Sequence, residues 1–161
     1  LKGVPAGTLL LEVLYTVNCI APRQLGVERF MPLNPMRFLI DARGKDLADI
    51  VPHGRLNELI ERVKKATALA IIKQVGDEVE TKMSRAGELA QARLEKIQRE
   101  AETAMRALLE AELQRLVSLR EVNPSIRQEE IDHLAYILEE SAVHIRHANL
   151  QLQGLRLIIS T

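Results

Sequence analysis

Tryptophan is absent from this chain, and only Tyr15, Phe30, Phe38 and Tyr136 are aromatic among its 161 residues. The core must therefore be built from aliphatic side chains. The same scarcity weighs against a single-stranded nucleic-acid platform, which stacks bases on aromatic rings. Cysteine occurs once, at Cys19, so no internal disulfide can form. Flanked by apolar residues, Cys19 reads as a small core side chain. Formal charge is balanced, 22 Lys and Arg against 22 Asp and Glu, so no global field draws in DNA or an anionic membrane surface. No run of about 18 apolar residues exists from which to build a membrane-crossing helix. Leu9 to Leu14 is apolar but interrupted by Glu12, and no basic segment leads it, so it reads as a strand and not as a signal peptide. A phosphate loop is missing too. The one Gly-Lys pair is Gly44-Lys45, and Leu39 stands where such a loop needs its first glycine. No acidic box of the kind that holds Mg²⁺ accompanies it.

What is present is pattern. The length suits one domain with a sizeable core. The chain opens on Leu1 and not on Met, and the expectation is a fragment of a larger protein. From Thr8 to Ile20 apolar residues alternate. Leu9, Leu11, Val13, Tyr15, Val17 and Cys19 share one face, which predicts a strand with a single buried side ended by Pro22. In Arg29 to Asp41, RFMPLNPMRFLID, Pro32 and Pro35 each remove a ladder donor, so the segment starts as an edge strand or extended loop and pairs normally only after Pro35. Asp41 to Gly44 has the Asp-first, Gly-fourth signature of a type I turn, and a weaker apolar stretch runs from Leu47 to Val51.

Between Arg55 and Val122 there is no proline, and apolar residues recur every third or fourth position: Leu56, Leu59, Val63, Ala66, Ala70, then Leu94, Ile97, Ala101, Ala104, Leu108. The stripe then shifts to Leu109, Leu113, Leu116 and Leu119. This period is helical. A single helix of that length would run about 100 Å, so a break is expected, with Gly76, Gly87 and a Thr67 cap as candidates and Lys65 to Thr67 as the favoured place. Asn123-Pro124 stops the helix. Ser125 with Gln128 reads as the capping box of the next one, so Ser125→Ala is expected to cost about 0.5–2 kcal/mol. Ile131, Leu134, Leu138, Ala142, Ile145 and Ala148 form that helix's stripe, Gly154 closes it, and Leu155 to Ser160 makes a last strand whose Arg156 faces solvent or an acidic partner. The predicted fold is α+β: a small antiparallel sheet of N-terminal strands plus the C-terminal strand, with a long antiparallel helical hairpin. Strands fall at about 7–51, helices at about 55–150 and the last strand at about 154–160, all in one domain spanning 1–161.

Two constellations could carry chemistry. Glu140, His144 and His147 sit at spacings of four and three on one helix, a set that could hold zinc with water in the fourth position. The plain alternative is three exposed helix residues, and no nucleophile at a strained turn accompanies them. Arg23, Arg29, Arg37, Arg43 and Lys45 cluster in the first third, as phosphate contacts require. Glu28, Asp41 and Asp46 are interleaved with them, as on a solvated strand edge. No catalytic, nucleotide-binding or metal residue is assigned, and nucleic-acid contact residues stay open.

Four blocks in order, GTLLLE (Gly7 to Glu12), RFMPLNPMRFLID (Arg29 to Asp41), LREVNPSIRQEEID (Leu119 to Asp132) and LQGLRLIIS (Leu152 to Ser160), resemble the C-terminal region of the RapA family of bacterial RNA polymerase-associated SWI/SNF-type ATPases. The likeness runs nearly end to end. It departs near Asn149, where several members carry a tryptophan before the last strand. The resemblance implies a non-catalytic C-terminal domain, with ATP and Mg²⁺ bound in ATPase lobes upstream and no cofactor here. It implies a whole protein that translocates on DNA, binds RNA polymerase and stimulates its recycling in transcription. The partners implied are the upstream domains of the same chain, with polymerase and DNA met through the full-length protein. The expected location is the bacterial cytoplasm, with the nucleoid and not the membrane. The alternatives are a free-standing coiled-coil scaffold that dimerises through the helical stripe, and a small metal enzyme on Glu140, His144 and His147.

Overall fold

A computed structural model of the chain describes residues 5–31 and 35–160. In chain order the elements are β1 (Leu9–Asn18), two 3-10 turns (Arg23–Leu25 and Val27–Arg29), β2 (Met36–Ile40), α1 (His53–Glu58), α2 (Lys65–Gln74), α3 (Gly76–Val122), α4 (Gln128–Arg146) and β3 (Asn149–Ile159). The fold is α+β, with a three-stranded antiparallel sheet of order β2-β1-β3 and long helices. Of the Pro32–Pro35 reading, Pro32 lies outside the described residues, and pairing begins after Pro35 as expected. No described helix is long and apolar enough to cross a membrane. The chain divides into two compact units, one of Leu1–Thr16, Pro35–Gln91 and Gln151–Thr161, the other of Val17–Asn34 and Ala92–Leu150.

In the first unit β1 is central. It pairs with β2 in the register Leu11↔Ile40, Val13↔Phe38 and Tyr15↔Met36. The chain ends are tied where the Gly7 amide donates to the Ser160 carbonyl at 2.7 Å and the Ser160 amide to the Thr8 carbonyl at 3.0 Å. A central strand can be covered on both sides, and Leu9, Leu10, Leu11, Glu12 and Val13 are all buried. The single buried face expected from the alternation holds only farther along the strand. Leu10, Leu39, Leu56 and Ile158 form one apolar cluster, onto which Leu47, Ala48, Val51 and Ile60 pack. Tyr15 and Phe38 meet edge to face at 6.3 Å. The Asp41–Gly44 turn forms as read. Gly44 sits at φ 75 and its amide donates to the Asp41 carbonyl at 3.2 Å. The outer edge of β2 is then covered. The Leu39 amide donates to Asp46 Oδ1 at 2.9 Å, and the Leu47 amide to the Leu39 carbonyl at 2.7 Å.

The helical stretch breaks beside one expected candidate, Gly76, but not at the favoured Lys65 to Thr67. Lys65 to Thr67 open α2, and Thr67 caps nothing; the interruption is the non-helical 59–64 before it. No glycine or proline marks that gap. Ile60 leaves the helix to pack on the Leu10–Leu56 cluster, so tertiary burial decides the break. A second interruption falls at Val75, after which Gly76 opens α3 and Asp77 and Glu78 occupy its first turn, where the positive helix end favours them. Gly87 stays helical.

In the second unit the later part of α3 and α4 run antiparallel. The Gln98 amide donates to the carbonyls of Arg146 at 2.9 Å and Ala148 at 3.1 Å, near one end, and Arg106 reaches Glu139 at 3.4 Å farther along. Leu94, Ala101, Met105 and Leu109 are buried on α3, and Leu138, Ala142 and Ile145 on α4. The stripe read through Ala104 and Leu108 was one position off, since both point outward. Met105 takes the inner place; its flexible thioether suits an irregular gap. The α4 cap also differs. Arg127 is the N-cap, and its amide donates to Glu130 Oε1 at 3.3 Å; an arginine has no acceptor with which to complete a box. Ser125 instead donates its amide to Asn123 Oδ1 at 3.0 Å. The strand β3 begins at Asn149, so Gly154 lies inside it and closes no helix.

These bonds generate two tests. Since Ser125 is no cap, Ser125→Ala should change the unfolding free energy read from denaturant melts by no more than about 0.5 kcal/mol, the usual surface value; a change near ~2 kcal/mol would restore the cap. Truncation after Gly154 should lower and broaden thermal melting while far-UV circular dichroism stays helical. It removes the Ser160 bonds, Arg156, and Ile158, whose burial contributes about 1.5–3 kcal/mol; the neighbouring Leu155 is 48% exposed and Leu157 half-buried. A truncated form that melts as sharply and as high as the intact chain would show the strand to be peripheral.

Candidate functional site

The most concentrated polar chemistry lies in the first unit, around Glu12. Its side chain points from the central strand and is almost fully buried. Arg37 on β2 donates Nε to Glu12 Oε1 at 2.5 Å. Arg156 on β3 donates Nε to Glu12 Oε2 at 2.7 Å, with its Nη2 against the same carboxylate. His53, at the start of α1, places Nδ1 3.0 Å from Oε1. One carboxylate thus holds a residue from each flanking strand and the first helix. The arginines carry the network outward. Arg37 Nη1 donates to the carbonyls of Ala48 at 3.1 Å and Val51 at 2.8 Å, fixing the apolar stretch before α1. Arg156 Nη1 donates to Asn57 Oδ1 at 2.6 Å. Arg37 Nη2 is buried with no hydrogen-bond partner among the described residues.

Burial pushes the Glu12 carboxyl up, but the hydrogen bonds from Arg37, His53 and Arg156 together outweigh it and hold the group below the ordinary 4.5. A carboxylate so held is a poor base and a good anchor. Beside it Leu14, Gly154 and Leu155 complete a shallow cleft of about 290 Å³. The arrangement positions strands. Its sequence signals were the single acid in the apolar Leu9 to Val13 run and the single cation in Leu155 to Ile159; for Arg156, an acidic partner was one of the two expectations.

The other candidates are placed as follows. On α4, the His144 Nδ1 lies 2.8 Å from the Ile20 carbonyl and the His147 Nδ1 2.8 Å from the Val143 carbonyl. Among the described residues no three His, Cys, Asp or Glu side chains gather to hold a metal. The Cys19 thiol donates to the His144 carbonyl at 3.4 Å, and burial pushes its pKa up. Of the five cations in the first third, Arg37 is taken up inside the Glu12 network. Arg23 and Arg29 are exposed on the 3-10 turns of the second unit, with the Arg29 guanidinium 4.7 Å over the Phe30 ring. Arg43 and Lys45 are exposed at the turn after β2 in the first unit.

The sequence model of the family described as "RNA polymerase recycling family C-terminal" matches residues 1–160. The chain belongs to this RapA C-terminal family. It is 37% identical over 98% of its length to the RNA polymerase-associated protein RapA of Vibrio cholerae serotype O1 (strain M66-2). It is 35% identical over 98% to that of Photobacterium profundum and 37% identical over 99% to that of Sodalis glossinidius (strain morsitans). The chain spans 16% of the length of each of these curated relatives. Three of the four blocks that carried the RapA resemblance contain the three strands or parts of them, and each brings one member of the network: Glu12 from the first, Arg37 from the second, Arg156 from the last. The remaining block spans the end of α3, the turn and the start of α4.

Glu12→Gln should cost about 3–5 kcal/mol, the usual loss when one partner of a buried pair is removed. The pH dependence has a definite sign. The folded pKa lies below the unfolded one, so the Glu12 contribution is complete above about pH 4.5 and is lost as pH falls through the folded value. Thermal melts of the native chain should therefore fall more steeply with acidification below that pH than melts of Glu12→Gln. Parallel curves would mean the carboxylate is not held as described.

Proposed function

We propose that this chain is a non-catalytic C-terminal domain of a longer RapA-type protein, an ATP-dependent DNA translocase that binds RNA polymerase and stimulates its recycling. The observation that carries the reading is the family match over residues 1–160, to relatives named for polymerase association of which the chain spans 16%. ATP and Mg²⁺ then bind in lobes outside this segment. The domain packs against those upstream parts and shapes how the motor meets polymerase or DNA. Glu12, locked between two arginines, suits a rigid docking body. A polymerase-binding protein of this kind works in the bacterial cytoplasm, on the nucleoid.

The test uses the full-length protein with and without residues 1–161. Without them, ATP hydrolysis should persist, while stimulation of multi-round transcription and retention on immobilised core polymerase should fall towards the level seen with no protein. Unchanged retention and stimulation would remove this segment from the recycling role. Calorimetric binding of ATP to the 161-residue chain would remove its non-catalytic status.

A further inference from the structure

In the first unit, α2 is a helix with no buried residue. Its apolar content is high nonetheless. Leu69 is 51% and Ile72 45% exposed, and Leu59 in the preceding segment is 56% exposed. A helix of ten residues does not sustain itself in water, and burial of an apolar face, the usual remedy, is missing here. Residues 59–63 and α2 meet β3 across an apolar groove of about 530 Å³, lined by Leu59, Val63, Ile71, Ile72, Leu157 and Ile159. The adjoining strand is an edge strand. The opposite edge, β2, is covered by the Asp46–Leu47 bonds. An edge beside an exposed apolar groove is a surface that proteins ordinarily cover.

The rim narrows the choice of cover. The groove lining includes Glu61 beside Arg62, and from residue 59 to residue 76 the chain carries Arg62, Lys64, Lys65 and Lys73 against that one acid, a net +3 in a protein whose formal net charge is zero. Such a rim favours a segment that is apolar on one side and acidic on the other, and it disfavours a basic one. Tethering narrows it further. A shallow groove floored partly by a marginal helix makes a weak site for a free partner, whereas a tethered segment meets it at an effective concentration of about millimolar. The relatives carry most of their length outside the matched segment.

Resting on the reading that this chain belongs to a longer polypeptide, we propose that the α2–β3 groove docks an acidic, apolar-faced segment from the upstream part of that same polypeptide, and that α2 is stable only when it is so covered. In full-length protein without polymerase, hydrogen exchange of amides 66–75 should be about tenfold or more slower than in the separate 161-residue chain. Ile72→Asp in the full-length protein should abolish that difference while leaving the buried part of α3, around Ala90 and Leu94, protected. A water-soluble carbodiimide should join Lys64, Lys65 or Lys73 to upstream carboxylates, and Lys65→Glu with Lys73→Glu should both remove those links and speed the exchange. Equal exchange in the two proteins would overturn the proposal. So would protection that appears only when core polymerase is added, or links that form only between copies and grow with protein concentration. Loss of polymerase association in the full-length protein would count against the recycling role and leave this readout intact, so the two failures are distinguishable.

Discussion

The Glu12 carboxylate is the constraint on which the first unit depends. An ionised group removed from water is costly unless it is paired and hydrogen-bonded. Here the pairing is shared among neighbours far apart in sequence: Arg37 from β2, Arg156 from β3 and His53 from α1. Strand order and charge placement are therefore one fact. With β1 in the centre, both flanking strands can reach the same carboxylate, and a slip of one residue in either would turn its arginine to the other face. Arg37 goes on to hold the carbonyls of Ala48 and Val51, so the connection into α1 is oriented by the same network.

A chain with four aromatic residues has few large side chains with which to specify a core. Aliphatic burial drives collapse but is non-directional. The polar network supplies direction that the Leu and Ile cluster beneath the sheet lacks, and the family resemblance is concentrated where that network lies. The second unit works differently. It relies on aliphatic residues along α3 and α4, with Gln98 meeting the carbonyls at the end of α4 and Arg146 pairing with Glu102 across the helices. There the charges lie at the rim and adjust the helix pairing without defining it.

The region between the sheet and α3 is the least self-sufficient. Residues 59–64 leave helical geometry so that Ile60 can reach the core, and α2 beyond them has no fully buried residue, only Ala68 and Ile71 half-buried. Local helix propensity there is adequate, with alanines throughout, but propensity alone does not hold so short a helix. The basic rim around the groove it forms with β3 gives this region a chemical preference as well as a need for cover.

By itself the sequence determined the α+β class, the strand after Thr8, the turn at Asp41 to Gly44, the stop at Asn123-Pro124 and the antiparallel helix pair, because these rest on periodicity and on turn chemistry within a few residues. It also exposed the two unusual charges in apolar runs, Glu12 and Arg156. It did not locate the helix break at 59–64, place Met105 inside in preference to Ala104 and Leu108, or identify Arg127 over Ser125 as the cap. Nor did it extend the last strand back to Asn149 or remove Arg37 from the exposed cations. Each of those was settled by tertiary packing: whether Ile60 gains more from a distant cluster than from one more helical turn, and whether an arginine finds a buried carboxylate 25 residues away in the chain. Such choices compare long-range burial with local geometry, and a sequence pattern displays only the local term.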